Sequence, residues 1–328
     1  MNNSAVLEKD AVATVAKTAN KKAKKPVDKF STWYRIKENK TCYFMMTPFL
    51  ILFFVFTVLP VAISIGLSFT YFNMLQAPQW TGLLNYQTLF VEDSIFLICV
   101  RNTLVFGLIT GPVSYILCFV FAWMINDLNP KVRTILTVIL YAPSISGGVY
   151  TIWTYIFSGD QYGLVNSFLM QIGIIDDPIR WLEDSQYVLT IVIIVQLWLS
   201  LGTGFLTFIA GFQSLNQELF EAGAIDGIKN RFQQLWYITI PQMYGQMVLS
   251  AVLQIGASFS VSSICIALAG FPSANYAAET IVTHIYDYGS IRFEMGYASA
   301  IAVVLFAAMV IFNNAVQKVL RGVAHNDD

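Results

Sequence analysis

The sequence predicts an all-α membrane protein with six transmembrane helices and both termini on the cytoplasmic side. Three observations predict it. The chain is 56% hydrophobic and only 12% charged, where soluble domains average roughly 25% charged residues. Six apolar stretches, 43–69, 102–125, 134–157, 188–210, 246–269 and 297–319, are each long enough to cross about 30 Å of hydrocarbon as a helix. Their apolar centres hold no Asp, Glu, Lys, Arg or His, so the net charge of -1 conceals charges that are segregated between spans.

The elements follow in order. Residues 1–42 hold ten Lys/Arg and four acids, without the apolar core and small-residue cleavage site of a secretory signal. They read as a basic, largely disordered cytoplasmic tail drawn to anionic lipid; no nucleic-acid partner is expected. The six-span domain occupies 43–320, and 321–328 forms a second cytoplasmic tail. Pro48, Pro60, Pro112 and Pro143 fall within spans, where neighbouring helices can satisfy the carbonyls they release. With the tail inside, the inner segments 1–42, 126–133, 211–245 and the C-terminus hold 16 of the 19 Lys/Arg, which sets the orientation by the positive-inside rule. Arg101, Arg180 and Arg292 remain outside. The outer loops 70–101, 158–187 and 270–296 carry Trp80, Tyr86, Trp181, Tyr276, Tyr286 and Tyr288, suited to an interfacial belt or to contact with an external partner. Residues 277–286 suggest a short amphipathic helix on the outer surface, with Glu279 and His284 facing water.

Catalytic patterns are missing. There is no HExxH, GxSxG or GxxxxGK[ST], so the chain is expected to be no enzyme and to hold no cofactor or metal of its own. Cys42, Cys99, Cys118 and Cys265 are scattered without a CxxC and read as small hydrophobes. Gly147, Gly148, Gly202 and Gly204 lie in spans, where they permit close packing or a kink. Proton-coupled carriers commonly place an acid or His within the bilayer. The lack of one here weakens an autonomous secondary carrier, while sodium coupling through carbonyls and hydroxyls stays open. Energy then has to arrive from another protein, and the charged island 218–231 is where it would enter. It stands between 185–217 and 232–278, neither of which holds an Asp, Glu, Lys or Arg.

That island resembles the EAA loop of permease subunits in binding-protein-dependent ABC importers. Glu221, Ala222 and Gly223 stand for the triplet, Asp226 and Gly227 for the turn, and Ile238, Ile240 and Pro241 for the end of the motif. The second alanine is Gly223, the leucine is Ile240, and ten residues rather than nine separate Gly227 from Ile238. Trp80–Tyr86 with Leu89 and Phe90, Arg101–Thr103 and Gly163–Asn166 are similar to the maltose-type carbohydrate branch. The resemblance implies a type I importer permease fold and a coupling loop over 212–242. It implies as partners a second homologous permease, two ATPase subunits that carry ATP and Mg, and an extracytoplasmic solute-binding protein. It also implies a carbohydrate substrate, oligosaccharide or glycoside, and a bacterial cytoplasmic membrane location; a non-sugar small solute is the nearer alternative. Gly227 can take a backbone conformation that side chains resist, turning the chain after a helix that offers Phe220, Ala222 and Ala224 to a cleft on the ATPase near Glu221.

Helical spacing marks a polar strip on the fourth span at Gln196, Ser200 and Thr203, and another on the fifth at Gln254, Ser258 and Ser262. Uncharged amides and hydroxyls can exchange hydrogen bonds with sugar hydroxyls, with Trp198, Phe259 and Trp153 as faces for pyranose rings. The same residues can equally join helices to one another.

Overall fold

The computed structural model describes residues 39–324, so most of the basic tail and the last four residues lie outside the described residues. The chain divides into two compact units, Met1–Ala62 and Ile63–Asp328. The first unit contributes most of helix α1 (Lys40–Leu67), whose mean hydropathy reaches 2.7. Every residue from Lys40 to Ala62 is exposed and the helix is apolar on all sides, as lipid rather than water requires. Pro60 cannot donate a backbone hydrogen bond and its ring crowds the turn before it. A widened π-helical turn over Phe54–Val58 accommodates it.

In the second unit, strands β1 (Thr70–Tyr71) and β2 (Gln79–Trp80) pair antiparallel, Thr70 opposite Trp80. The α-helices of six residues or more are α2 (Ser94–Asn126), α3 (Pro130–Ile145), α4 (Val149–Ile156), α5 (Leu164–Gln171), α6 (Val188–Ser200), α7 (Thr203–Gln213), α8 (Gln217–Ile225), α9 (Tyr244–Phe259), α10 (Ser263–Ala269), α11 (Ile281–Tyr286) and α12 (Met295–Ala324). Helix α12 extends through the first residues of the expected C-terminal tail.

Helix α2 is the axis of this unit. Its 33 residues span about 50 Å at 1.5 Å per residue, and it packs against α6, α7, α9 and α11. Phe106 joins one apolar cluster with Val192 and Ile264; Cys118, Ala122 and Ile125 join a second with Phe205 and Phe208; Phe96 and Cys99 join a third with Ile301. The sequence explains this position. Cys99, Thr103, Gly107, Gly111, Ser114, Cys118 and Ala122 are buried at three- and four-residue intervals, a seam of small side chains that lets neighbouring helices come close. A Cβ on Gly107 would stand 3.1 Å from the Phe259 ring. Cys99, Cys118 and Cys265 are buried free thiols, as expected of small hydrophobes, whereas Cys42 is exposed on α1.

Four helices are long and apolar enough to cross a membrane, counting Val188–Gln213 as one, and the number rises to six if each of two bent pairs makes one span. The third stretch is therefore not the straight helix that its hydropathy suggests: α3 and α4 meet at 85°. Pro143 weakens the last turn of α3, Ser146 turns to an extended backbone, and no atom lies within 4 Å of a Cβ built on Gly147 or Gly148. Neither glycine is held there by packing. The fifth stretch starts at Tyr244 and bends by 42° between α9 and α10. Gly202 and Gly204, by contrast, serve packing. A Cβ on Gly202 would collide with Ser144 of α3, and one on Gly204 with the Gln254 amide of α9. Overpacking of this kind costs about 1–3 kcal/mol, so Gly204→Val is expected to lower the thermal midpoint of the purified protein. An unchanged midpoint would mean that α7 and α9 part freely.

Candidate functional site

The 212–242 loop is folded rather than irregular. Asn216 caps α8, its side chain accepting from the Glu218 amide, while its own amide donates to Gln242 Oε1 at 3.1 Å and closes the loop's two ends together. Helix α8 is stopped two residues beyond its last residue, at Gly227, whose φ is +96°. The Ile228 amide donates to the Gly223 carbonyl at 2.9 Å and the Gly227 amide to the Ala224 carbonyl at 3.4 Å, the paired bonds of a Schellman stop. Asn230 then opens a capping box with Gln233. The helical turn Arg231–Gln234, a π-helical turn Leu235–Thr239 and the segment Ile240–Gln242 return the chain to α9.

The motif residues divide by exposure. Glu221, Ala222, Ala224, Asp226 and Gly227 are exposed, together with Leu219 and Ile225, while Gly223 is buried and Phe220 half-buried. Gly223 is the position where the sequence departs from alanine. A Cβ there would approach Ile238 Cδ1 to 2.7 Å, so glycine lets Ile238 seat against α8. The loop meets the core through Arg231, paired with Asp127 at 2.9 Å, and through Phe232, whose ring lies 5.4 Å from that of Trp123. Neither contact stands out in the sequence, because its partner lies about a hundred residues away. A cavity of about 300 Å³ separates α8 from the end of α2.

The polar strips fall on different surroundings. Gln254 and Ser258 are buried against α2: Gln254 Oε1 accepts from Ser114 Oγ at 3.3 Å, and Ser258 Oγ stands 3.6 Å from a Cβ built on Gly111. Gln254 also lines an apolar groove of about 160 Å³ with Tyr115, Phe259 and Phe312. Gln196, Ser200 and Ser262 are half-buried, Ser200 Oγ donating back to the Leu197 carbonyl at 2.8 Å and Ser262 standing at the start of α10. Thr203 begins α7. Trp153 and Trp198 meet edge to face at 5.3 Å, whereas Phe259 is buried against Gly107 and Phe312. The structure thus brings Gln254 and Ser258 together on one seam and leaves Gln196 and Ser200 on another helix.

At the other end of α2, three buried asparagines organise the loops. Asn85 donates to the carbonyls of Ser68 and Thr70, both at 2.9 Å. Asn102 donates to those of Tyr276 and Glu279 at 3.1 and 3.0 Å, and Thr103 Oγ1 accepts from the Ile281 amide. Asn166 donates to Ser158, Asp160 and Ile179 carbonyls and accepts from Ile179 N and Trp181 Nε1. All three lie in the segments that suggested the carbohydrate branch. Glu279 and His284 do not face water as expected; each is only 4% exposed. Glu279 Oε1 accepts from Ser273 N and Oγ, and His284 Nε2 meets Asp93 Oδ2 at 2.8 Å, where Tyr297 Oη also donates. The amphipathic pattern is satisfied by polar partners inside the protein rather than by solvent. Burial alone would raise the Asp93 pKa, but hydrogen bonds from the Phe96 amide, His284 and Tyr297 outweigh it and hold the carboxyl below its usual 3.8.

Among the described residues no three His, Cys, Asp or Glu side chains gather to hold a metal. Residues 104–324 match the family model described as binding-protein-dependent transport system inner membrane component. The chain is 30% identical over 273 residues to the probable ABC transporter permease protein YesP of Bacillus subtilis (strain 168), covering 82% of this chain and 86% of that one. It is 27% identical over 272 residues to the arabinooligosaccharides transport system permease protein AraP of the same organism, covering 82% and 85%. Among solved structures it is similar, at a TM-score of 0.71 and 25% identity over 88% of this chain and 98% of the other, to a chain of a bacterial ABC transporter involved in the import of the acidic polysaccharide alginate. A folded loop with its glycine stop, an apolar helical body and these likenesses agree: the chain belongs to the family of binding-protein-dependent transport system inner membrane components, the permeases of ABC importers.

Proposed function

We propose that this chain is one permease subunit of an ATP-driven carbohydrate importer and forms half of its translocation pathway. The observation that carries the reading is the 212–242 loop, which presents Glu221, Ala222, Ala224 and Ile225 on an exposed face and holds that face with a glycine stop. The proposed architecture has six spans in a bacterial cytoplasmic membrane, with both termini and this loop on the cytoplasmic side. A second homologous permease completes the pathway, two ATPase subunits carrying ATP and Mg dock on the loops, and an extracytoplasmic solute-binding protein delivers the substrate. ATP binding draws the loops together and turns the passage outward; hydrolysis and product release reset it. This chain catalyses nothing itself. An oligosaccharide or glycoside is the proposed substrate class, supported by the named cargo of AraP and of the alginate importer. Gln196, Ser200, Thr203, Gln254, Ser258 and Ser262 are its proposed path, with Trp153 and Trp198 beside it.

Mild-detergent purification from native membranes, followed by reconstitution, tests the reading. The expected result is stoichiometric recovery of a second permease and an ATPase, with uptake that requires ATP. Recovery of this chain alone, still transporting in liposomes without nucleotide, would overturn it.

A further inference from the structure

We propose that Asp127 and Arg231, with the Trp123–Phe232 ring contact beside them, form the joint through which movement of the 212–242 loop enters helix α2. The proposal rests on the coupling reading and adds the route inside this chain. The exposed face of α8 is free for a partner, so the rest of the loop has to transmit what that face receives. Helix α8 is not packed onto the end of α2. The cavity of about 300 Å³, lined by Trp123, Asp127, Phe220, Arg231, Gln234 and Thr239, lies between them. Contact across this gap is made at the second half of the loop, where the Arg231 guanidinium reaches the Asp127 carboxylate at 2.9 Å and the Phe232 and Trp123 rings meet at 5.4 Å.

What the joint grips is suited to the role. Asp127 stands at the C-cap of α2 and Trp123 one turn inside it, so a force on either acts on the helix itself. Helix α2 runs unbroken from there to Ser94. Its far end is tied to the 270–296 loop by Asn102 and Thr103 and through Asp93 to His284 and Tyr297. A shift at Asp127 is thereby carried, along one continuous helix that holds Pro112 midway and has attachments at both ends, to the loops at the opposite end of the bundle. Asp127 and Arg231 are positioning residues, and the space in the cavity is what allows the loop to tilt about them.

The test uses the whole reconstituted complex and reads the ratio of binding-protein-stimulated to basal ATP hydrolysis. A half-exposed ion pair has modest strength, so Asp127→Asn and Arg231→Gln are each expected to lower that ratio about threefold to fivefold. The reversals Asp127→Arg and Arg231→Asp should lower it further, and the double exchange, which restores the pair with the charges swapped, should return it to within about twofold of the starting value. Single variants with an unchanged ratio, or an exchange no better than the worse single variant, would overturn the proposal. A second readout needs no transport: tryptic cleavage after the exposed Lys229 in membrane vesicles should be several-fold faster in Asp127→Asn, and an unchanged rate counts against the joint. If the native complex shows no stimulated hydrolysis, the importer reading fails, and the proteolysis alone decides whether the clamp exists.

Discussion

Gly227→Val is expected to cut ATP-driven uptake about tenfold or more while the chain still reaches the membrane at its normal abundance. The residue sits at φ +96°, where a Cβ clashes with the backbone, and holding an L side chain in left-handed geometry costs about 1–2 kcal/mol, more for a β-branched one. Each 1.4 kcal/mol removes about a factor of ten from the population of the correctly turned loop. The Schellman bonds from Ile228 and Gly227 to the carbonyls of Gly223 and Ala224 would open with it, and the exposed face of α8 would lose its fixed angle. Open space surrounds a Cβ at this position, so the effect is conformational rather than a clash with neighbours. Gly227→Asn should therefore retain more transport, because asparagine tolerates left-handed geometry better than valine. Uptake of labelled substrate into vesicles, normalised to the amount of inserted chain, checks both. Equal uptake by Gly227→Val and the unaltered protein would remove the loop from the mechanism.

Asn166→Ala is expected to cost about 3 kcal/mol or more of stability, the largest single loss at the loops opposite. The side chain is fully buried and reaches five partners, its two amide hydrogens shared among three carbonyls and its oxygen accepting twice. Alanine leaves those partners without it. Each buried group left unsatisfied costs about 1–3 kcal/mol, and two that stay dry are enough for the loss expected here. At roughly 2–4 °C per kcal/mol for a domain of this size, the thermal midpoint in detergent should fall by about 6–12 °C. Asn166→Asp should not restore it, since an ionised carboxylate cannot donate to the carbonyls of Ser158, Asp160 and Ile179. A midpoint within a degree of the original would show that water replaces the asparagine without loss.

Residues that act through their own local chemistry are legible in the amino-acid sequence. The apolar stretches follow from hydropathy, and the left-handed turn at Gly227 from the position of a glycine after a short helix. Cys99, Cys118 and Cys265 are buried as their type suggests, but Cys42, read in the same way, is exposed. Gly223 shows in the sequence only as a departure from alanine, and its reason, the side chain of Ile238 seated against it, lies in the packing. Pro143 and the Gly147–Gly148 pair mark a weak point in the third stretch. Hydropathy averages over a window and is blind to direction, so the 85° bend cannot be read from it.

Hydrophobicity, charge placement and turn chemistry are properties of consecutive residues. They are enough to make this chain a helical membrane protein with a charged, glycine-stopped loop between two of its apolar stretches. Where the polar side chains go is a matter of tertiary packing. Asn102 finds its partners at Tyr276 and Glu279, Asp93 at His284 and Tyr297, and Arg231 at Asp127. The physical reason is distance along the chain. A buried polar group must be satisfied, but what satisfies it is whatever the packing of α2 against the other helices brings within about 3 Å, and no local pattern encodes that choice.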